Sequence, residues 1–171
     1  MVRHTDERAF RTLYDRHTPR LLRFALRLTA GEGAAVAEDV VQETWVRAVE
    51  RLEAFGWRST LVTWLHGIAL NVARETRRAS RRTDDLDCED GGPPVRELAV
   101  TQVETEARID LERGLARLPA GRRTVLVLHD LYGYKHSEVG RMLDISEGTS
   151  KSQLHDARIQ LGSILGREGR R

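Results

Sequence analysis

The chain has 171 residues, with 28 Lys+Arg against 26 Asp+Glu, a net charge of +2 and only 5% aromatic residues. At 40% apolar and 32% charged residues, it suits small, surface-rich domains better than one large enzyme core. The single cysteine, Cys88, excludes an intramolecular disulfide and a Cys-cluster zinc site, and it fits a reducing compartment. Apolar runs such as residues 125–128 are far too short to cross a bilayer. The opening stretch Met1-Val2-Arg3-His4-Thr5-Asp6-Glu7 lacks a signal peptide's apolar segment, so a cytoplasmic location is expected.

In chain order, Phe10, Leu13, Tyr14, Leu21, Leu22, Ala25 and Leu28 follow the three-and-four spacing of an amphipathic helix. Thr5 is its expected N-cap, Gly31 and Gly33 its end, and Pro19 predicts a kink or break near Thr18. A second helix is written by Val36, Val40, Val41, Thr44, Trp45, Ala48, Val49 and Leu52. A third is written by Leu61, Trp64, Leu65, Ile68, Ala69, Val72 and Ala73, and runs into Arg74, Arg77, Arg78, Arg81 and Arg82. The segment Thr83-Asp84-Asp85-Leu86-Asp87-Cys88-Glu89-Asp90-Gly91-Gly92-Pro93-Pro94 then offers few apolar residues and ends in a Gly-Gly-Pro-Pro breaker. Such a stretch buries too little surface to offset its ordering entropy and reads as a flexible linker.

Charge supports that division. Residues 1–82 sum to +5, residues 83–104 to −6 and residues 105–171 to +3, so two basic blocks flank an acidic strip. Two basic blocks point to polyanion partners. The predicted architecture is all-α: a helical domain over 1–82, a flexible acidic linker over 83–104, and a second helical domain over 105–171. Within the last block, Ala107, Leu111, Leu115 and Leu118 share one side of a helix stopped by Pro119, and residues 122–131 form the next helix. A short helix over 137–143, the turn Asp144-Ile145-Ser146 and a longer helix bearing Leu154, Ala157, Leu161, Ile164 and Leu165 outline a helix-turn-helix. Ser146 is its expected N-cap.

Catalytic constellations are missing from the sequence: it has no G-x-x-x-x-G-K, G-x-G-x-x-G, G-x-S-x-G or H-E-x-x-H. The pairs His129-Asp130 and His155-Asp156 are adjacent on helices, where neighbouring side chains diverge, so neither is expected to be a dyad. No enzyme activity, metal site or cofactor is expected. In the helix-turn-helix, Lys151, Ser152, Gln153, His155 and Arg158 would face duplex DNA; the plainer reading makes them the solvated face of a terminal helix.

Three stretches, taken together, go further. Ala37-Glu38-Asp39-Val40-Val41-Gln42-Glu43-Thr44-Trp45 resembles the core-polymerase-binding stretch of bacterial sigma factors. Thr63-Trp64-Leu65-His66-Gly67-Ile68-Ala69-Leu70-Asn71 resembles their T-W-L-x-x-I-A-x-N stretch. The run from Asp144 to Arg158 resembles their G-I-S-x-G-T-V-K-S-R-L-x-R-A-R recognition segment. Spread in order over nearly the whole chain, they resemble an extracytoplasmic-function (ECF) sigma factor of the sigma-70 family.

The resemblance implies a transcription initiation factor that docks on core RNA polymerase (beta-prime and beta subunits) through Asp39, Gln42 and Glu43. It implies capture of unstacked −10 promoter bases by Trp57, Arg58, Ser59 and Asn71, with phosphate contacts from Arg74, Arg77 and Arg78. The −35 duplex would be read by Lys151, Ser152, Gln153, His155, Asp156 and Arg158. The acidic connector would thread the RNA exit path, and an anti-sigma factor is a further implied partner. Trp64, at helical spacing with Leu61 and Ile68, is expected in the core, whereas Trp57 is expected to be exposed.

The sequence departs from the family pattern at Ser150, Gln153 and Asp156, where Val, Arg and Arg are usual. Ser150 puts a hydroxyl on the inner stripe, where it needs a partner, and Asp156 opposes the phosphate field. The acidic residue after the I-A-x-N stretch is also shifted, to Glu75. Two competing readings follow: a sigma-like polymerase or anti-sigma interaction protein with weakened −35 readout, or an ordinary helix-turn-helix regulator.

Overall fold

The structure, a computed structural model, describes residues 3–84 and 106–168, and all their regular structure is helical. The elements are α1 (Arg3–Leu28), α2 (Ala34–Arg51), α3 (Leu61–Asp84), α4 (Glu106–Ala116), α5 (Ala120–Leu126), α6 (His136–Leu143) and α7 (Glu147–Glu168). They fall into two units, one of Met1–Leu26 with Ala37–Cys88, the other of Arg27–Val36 with Glu89–Arg171. Helix α3 runs through Thr83 and Asp84, so these two belong to a helix and not to the expected linker. The remainder of that linker, including Cys88, lies outside the described residues.

In the first unit α1 begins at Arg3, so Thr5 sits inside the helix instead of capping it, and the helix continues unbroken through Pro19. A proline in a helix interior costs roughly 3 kcal/mol. Leu21, Phe24 and Ala25, buried just beyond it, offset that cost at roughly 1.5–3 kcal/mol per large apolar side chain. Helix α2 buries Ala37, Val40, Val41, Thr44, Trp45 and Ala48, and Thr44 donates its hydroxyl to the Val40 carbonyl at 2.6 Å. The expectation that Val49 and Leu52 continue this stripe is wrong, since they are 52% and 39% exposed. Val49 turns away from the buried Ala48 by the helical advance per residue, and Leu52 falls one residue past the helix end.

Trp45 receives Phe10 edge-on at 5.7 Å and Tyr14 at 5.1 Å. Thr60 caps α3 by accepting the Thr63 N–H at 3.1 Å. Leu65, Ile68, Ala69, Leu70, Val72 and Ala73 are buried below it. His66, also buried, stacks on Phe24 at 3.9 Å. Burial, reinforced by the nearby Arg20 charge, pulls its pKa down to about 4.

In the second unit Pro119 precedes α5, whose last turn widens into a π-helical segment, Val127–Leu131. The single helix expected over 122–131 is therefore two kinds of helix. The Tyr132 N–H donates five residues back to the Val127 carbonyl at 3.1 Å. Leu115, Leu118, Val125, Leu126, Val127, Leu128, Val139, Leu143, Leu154 and Ala157 form the core. Asp144 closes α6 with φ 56°, and the Ser146 hydroxyl accepts the Thr149 N–H at 2.9 Å, opening α7. The turn between them is tight: a Cβ on Gly140 would lie 2.8 Å from the Ile145 carbonyl oxygen.

Candidate nucleic-acid interface

The loop between α2 and α3 builds an aromatic platform. Phe55 is buried and stacks on Trp64 at 4.6 Å, and Trp57 packs against Phe55 at a tilt, with centroids 4.9 Å apart. Trp64 is half-buried, but Trp57 is 76% exposed and adopts φ 51°. Positive φ is strained for a large side chain, and such strain persists only where the surroundings hold it. Arg58 and Ser59 beside it are exposed. Along α3, exposed Asn71 and Arg78 and half-buried Arg74 and Arg77 follow Trp64 at helical spacing. An exposed indole of this kind can stack a base, and amide and guanidinium groups such as those of α3 can meet base edges and phosphates.

On α2, Asp39 and Gln42 are exposed, as are Val46 and Val49 one and two turns on. Glu43 is differently placed. It is half-buried and pairs with Arg47 at 2.7 Å. Arg47 also donates to both carboxylate oxygens of Glu75 on α3, at 3.0 and 2.7 Å. This fork holds the Glu75 carboxyl below its usual range, and the two carboxylates push the arginine's pKa higher still. The displaced acidic residue after the I-A-x-N stretch thus clamps α3 to α2. Asp39 and Gln42 remain on the open face with two exposed valines that sequence patterning had assigned inward or passed over.

In the second unit α7 buries Ser150, Leu154 and Ala157 and exposes Lys151, Ser152, His155, Asp156 and Arg158, with Gln153 half-buried. Three of the charged residues carry partners of opposite sign. Lys151 meets Glu147 at 2.7 Å, Asp156 meets Arg122 of α5 at 3.2 Å, and Arg158 grips both oxygens of Asp130 at 2.9 and 2.7 Å. The Arg158 pair lowers the pKa of the Asp130 carboxyl. Ser152 and His155 occupy the open face together with Ile159, which is 61% exposed and which sequence patterning missed. His129 and Asp130, expected to diverge, are joined at 2.8 Å between Nδ1 and a carboxylate oxygen, within the widened π-helical turn. The buried Ser150 hydroxyl has its partner in His136 Nδ1 at 2.9 Å.

Comparison with known proteins matches both units. Residues 13–83 match the family model for Sigma-70 region 2, and residues 108–161 match that for Sigma-70, region 4. The chain is 34% identical over 161 residues to the ECF RNA polymerase sigma factor SigM of Mycobacterium tuberculosis, covering 94% of this chain and 79% of the relative. It is 38% identical over 152 residues to SigL of the same species, covering 86% and 83%. Among solved structures it is similar to the sigma factor RpoE in complex with the anti-sigma factor NepR from Bartonella quintana. That match has a TM-score of 0.75 and 25% identity over 92% of this chain and 97% of that one. CnrH in complex with the cytosolic domain of CnrY follows, with a TM-score of 0.61 and 26% identity over 94% and 90%. The chain belongs to the ECF sigma factors of bacterial RNA polymerase, transcription initiation factors that direct the polymerase to promoters.

Proposed function

We propose that the first unit docks on core polymerase through the α2 face and captures −10 bases on the loop before α3, and that the second unit seats α7 on −35 duplex DNA. The domains divide the labour as 1–82, an 83–104 connector and 105–171. The observation that carries this reading is Trp57, an exposed aromatic held in a strained conformation on the loop that leads into the arginine-rich helix α3. An unstacked base costs a few kcal/mol to extrude, and an aromatic platform returns roughly 1–3 kcal/mol of it.

The polymerase-facing residues are Asp39 and Gln42 together with Val46 and Val49, and Glu43 acts from behind through Arg47. Because Lys151, Asp156 and Arg158 of α7 are already paired within the unit, the −35 contact adds less electrostatic affinity than a set of open cations would. The factor has no catalytic activity of its own and acts in the cytoplasm; no described helix is long and apolar enough to cross a membrane. The similar sigma factor solved in complex with the anti-sigma factor NepR supports an anti-sigma partner here as well.

Run-off transcription from genomic fragments with purified core polymerase tests the reading. Transcripts that start at discrete sites only when this protein is added are the expected result. Tight binding of the free protein to a two-fold DNA site, with no polymerase dependence, would establish the ordinary regulator instead. Asp39→Arg with Val46→Glu is expected to abolish co-purification with core polymerase while leaving helical circular dichroism unchanged.

A further inference from the structure

We propose that His136 is a positioning residue for the recognition helix and makes duplex binding by the second unit pH-dependent, strong with a neutral imidazole and weakened by its protonation. This rests on the reading of α7 as the −35 element.

The geometry is a closed polar loop that begins and ends on α7. Ser150 is 0% exposed, on the inner stripe with Leu154 and Ala157, where the family pattern carries Val. A buried hydroxyl is costly without a hydrogen bond, and the side chain that supplies one is His136, the first residue of α6. This bond ties the start of α6 to the first turn of α7, so it helps set the angle between the two helices of the helix-turn-helix. The His136 ring stacks on His129 of the π-helical turn, with centroids 4.3 Å apart and planes 27° from parallel. His129 Nδ1 meets Asp130, and Asp130 accepts from Arg158, back on α7. A helix held at Ser150 and again at Arg158 has little freedom to rotate or tilt.

The charges around His136 set the direction of the effect. Lys151 and Arg158 of α7 and His129 of the π-helical turn oppose a proton there. Glu147 favours one, but it is already engaged by Lys151, and Asp130 is engaged by Arg158. Burial first, then the positive neighbours, lower the His136 pKa. A histidine whose folded pKa lies below its unfolded value contributes its full stability above about pH 6.5 and loses it as the pH falls towards the folded value. Acid therefore favours arrangements in which His136 leaves the joint, and α7 loses its setting. Simple electrostatics predicts the opposite, because added positive charge on histidines strengthens attraction to phosphates. That opposition of sign makes the proposal discriminating.

The test is fluorescence anisotropy of the full chain with labelled 30-base-pair duplexes of randomised sequence, at fixed salt, at pH 7.8 and 5.8, with circular dichroism on the same samples. The wild type is expected to bind about fivefold more weakly at pH 5.8 with its helical signal intact, an effect within a one-unit pKa difference. His136→Asn keeps a polar atom near the Nδ1 position without titrating, and its acid-to-neutral affinity ratio is expected to stay within about twofold of unity on the same basis. Ser150→Val is expected to weaken binding at both pH values. Adding His136→Phe is expected to recover part of that loss and to abolish the acid effect, since both polar partners are then gone. Equal or tighter wild-type binding at pH 5.8 overturns the proposal, and so does an unchanged acid loss in His136→Asn. An acid loss that coincides with loss of helical signal makes it global unfolding and also overturns it. Failure of the wild type to bind duplex at either pH removes the DNA-reading role of α7 itself, a result distinct from binding without pH dependence.

Discussion

The two candidate DNA-facing surfaces handle charge in opposite ways. In the first unit the conspicuous ion-pair fork, Glu43–Arg47–Glu75, clamps α2 to α3. It joins the bodies of the two helices and leaves the Trp57 loop to its aromatic contacts. In the second unit the pairs lie on the presenting helix itself, at Lys151, Asp156 and Arg158. The first surface offers an aromatic platform in search of a base; the second offers a pre-neutralised helix shaped by its neighbours. Single-strand capture gains mainly from stacking, whereas a duplex contact of this kind depends on where the helix is aimed. Stacking should thus dominate substitutions in the first unit, and geometry those in the second.

The largest expected effect is on the platform. Trp57→Ala should reduce open-complex formation about 5- to 150-fold, the equivalent of losing roughly 1–3 kcal/mol of base stacking. Holoenzyme assembly should stay near normal, and a pre-melted −10 bubble should restore part of the rate. Because Trp57 is 76% exposed, its loss should scarcely change the melting temperature; a sharp drop would move it into the core. The geometric counterpart is Gly140→Ala, whose new methyl meets the Ile145 carbonyl at 2.8 Å. Backbone there must shift, at a cost of about 1–3 kcal/mol typical of overpacking. Duplex binding should fall more than polymerase binding, as measured by pull-down with core polymerase. Equal losses in both assays would erase the contrast between the units.

Acid sensitivity sharpens the comparison in the first unit. His66 is 3% exposed and its pKa is lowered to about 4, so its neutral form is stable in the fold and its stabilising contribution is complete above the unfolded value. That contribution is lost as pH falls from about 6.5 towards 4, and amounts to about 2 kcal/mol by pH 5. His66→Phe, which keeps an aromatic against Phe24, should flatten the fall in thermal stability between pH 7.5 and 5. An undiminished slope would assign the acid response elsewhere.

The helices, the helix-turn-helix and the need of Ser150 for a partner were legible because each follows from periodicity, capping or the cost of a buried hydroxyl. The identity of that partner was not: His136 lies fourteen residues away, and no local pattern links them. The π-helical turn left no trace in the apolar spacing, since five residues are too few to distinguish two helical periods. That omission hid the His129–Asp130 contact. Val49 and Leu52 were misassigned because an apolar side chain is no evidence of burial at a helix edge or end. Glu43 was placed with Asp39 by resemblance to the family's core-binding stretch, which does not reveal that Arg47 reaches it first.

The smallest effect expected is at Asp156, a carboxylate that either accepts from a cytosine amine or is merely tolerated on the DNA-facing helix. The structure adds a neighbour to that choice. Arg122 donates to Asp156 at 3.2 Å and to Gln160 at 3.1 Å, which draws the carboxylate towards α5 and off the face that carries Ser152 and His155. A half-exposed pair of this kind contributes about 0–1 kcal/mol to stability, so Asp156→Ala should leave the melting temperature nearly unchanged. It should nevertheless tighten duplex binding modestly on every sequence, because Arg122 is no longer neutralised and can meet a phosphate. The slope of log affinity against log salt should steepen by about one. In an Arg122→Ala background the same substitution should gain much less, since the cation it releases is missing. Measuring the four proteins against one duplex at two salt concentrations separates the cases. A change of base preference at a single position, with the salt slope unaltered, would show instead that Asp156 accepts from a cytosine amine in the major groove.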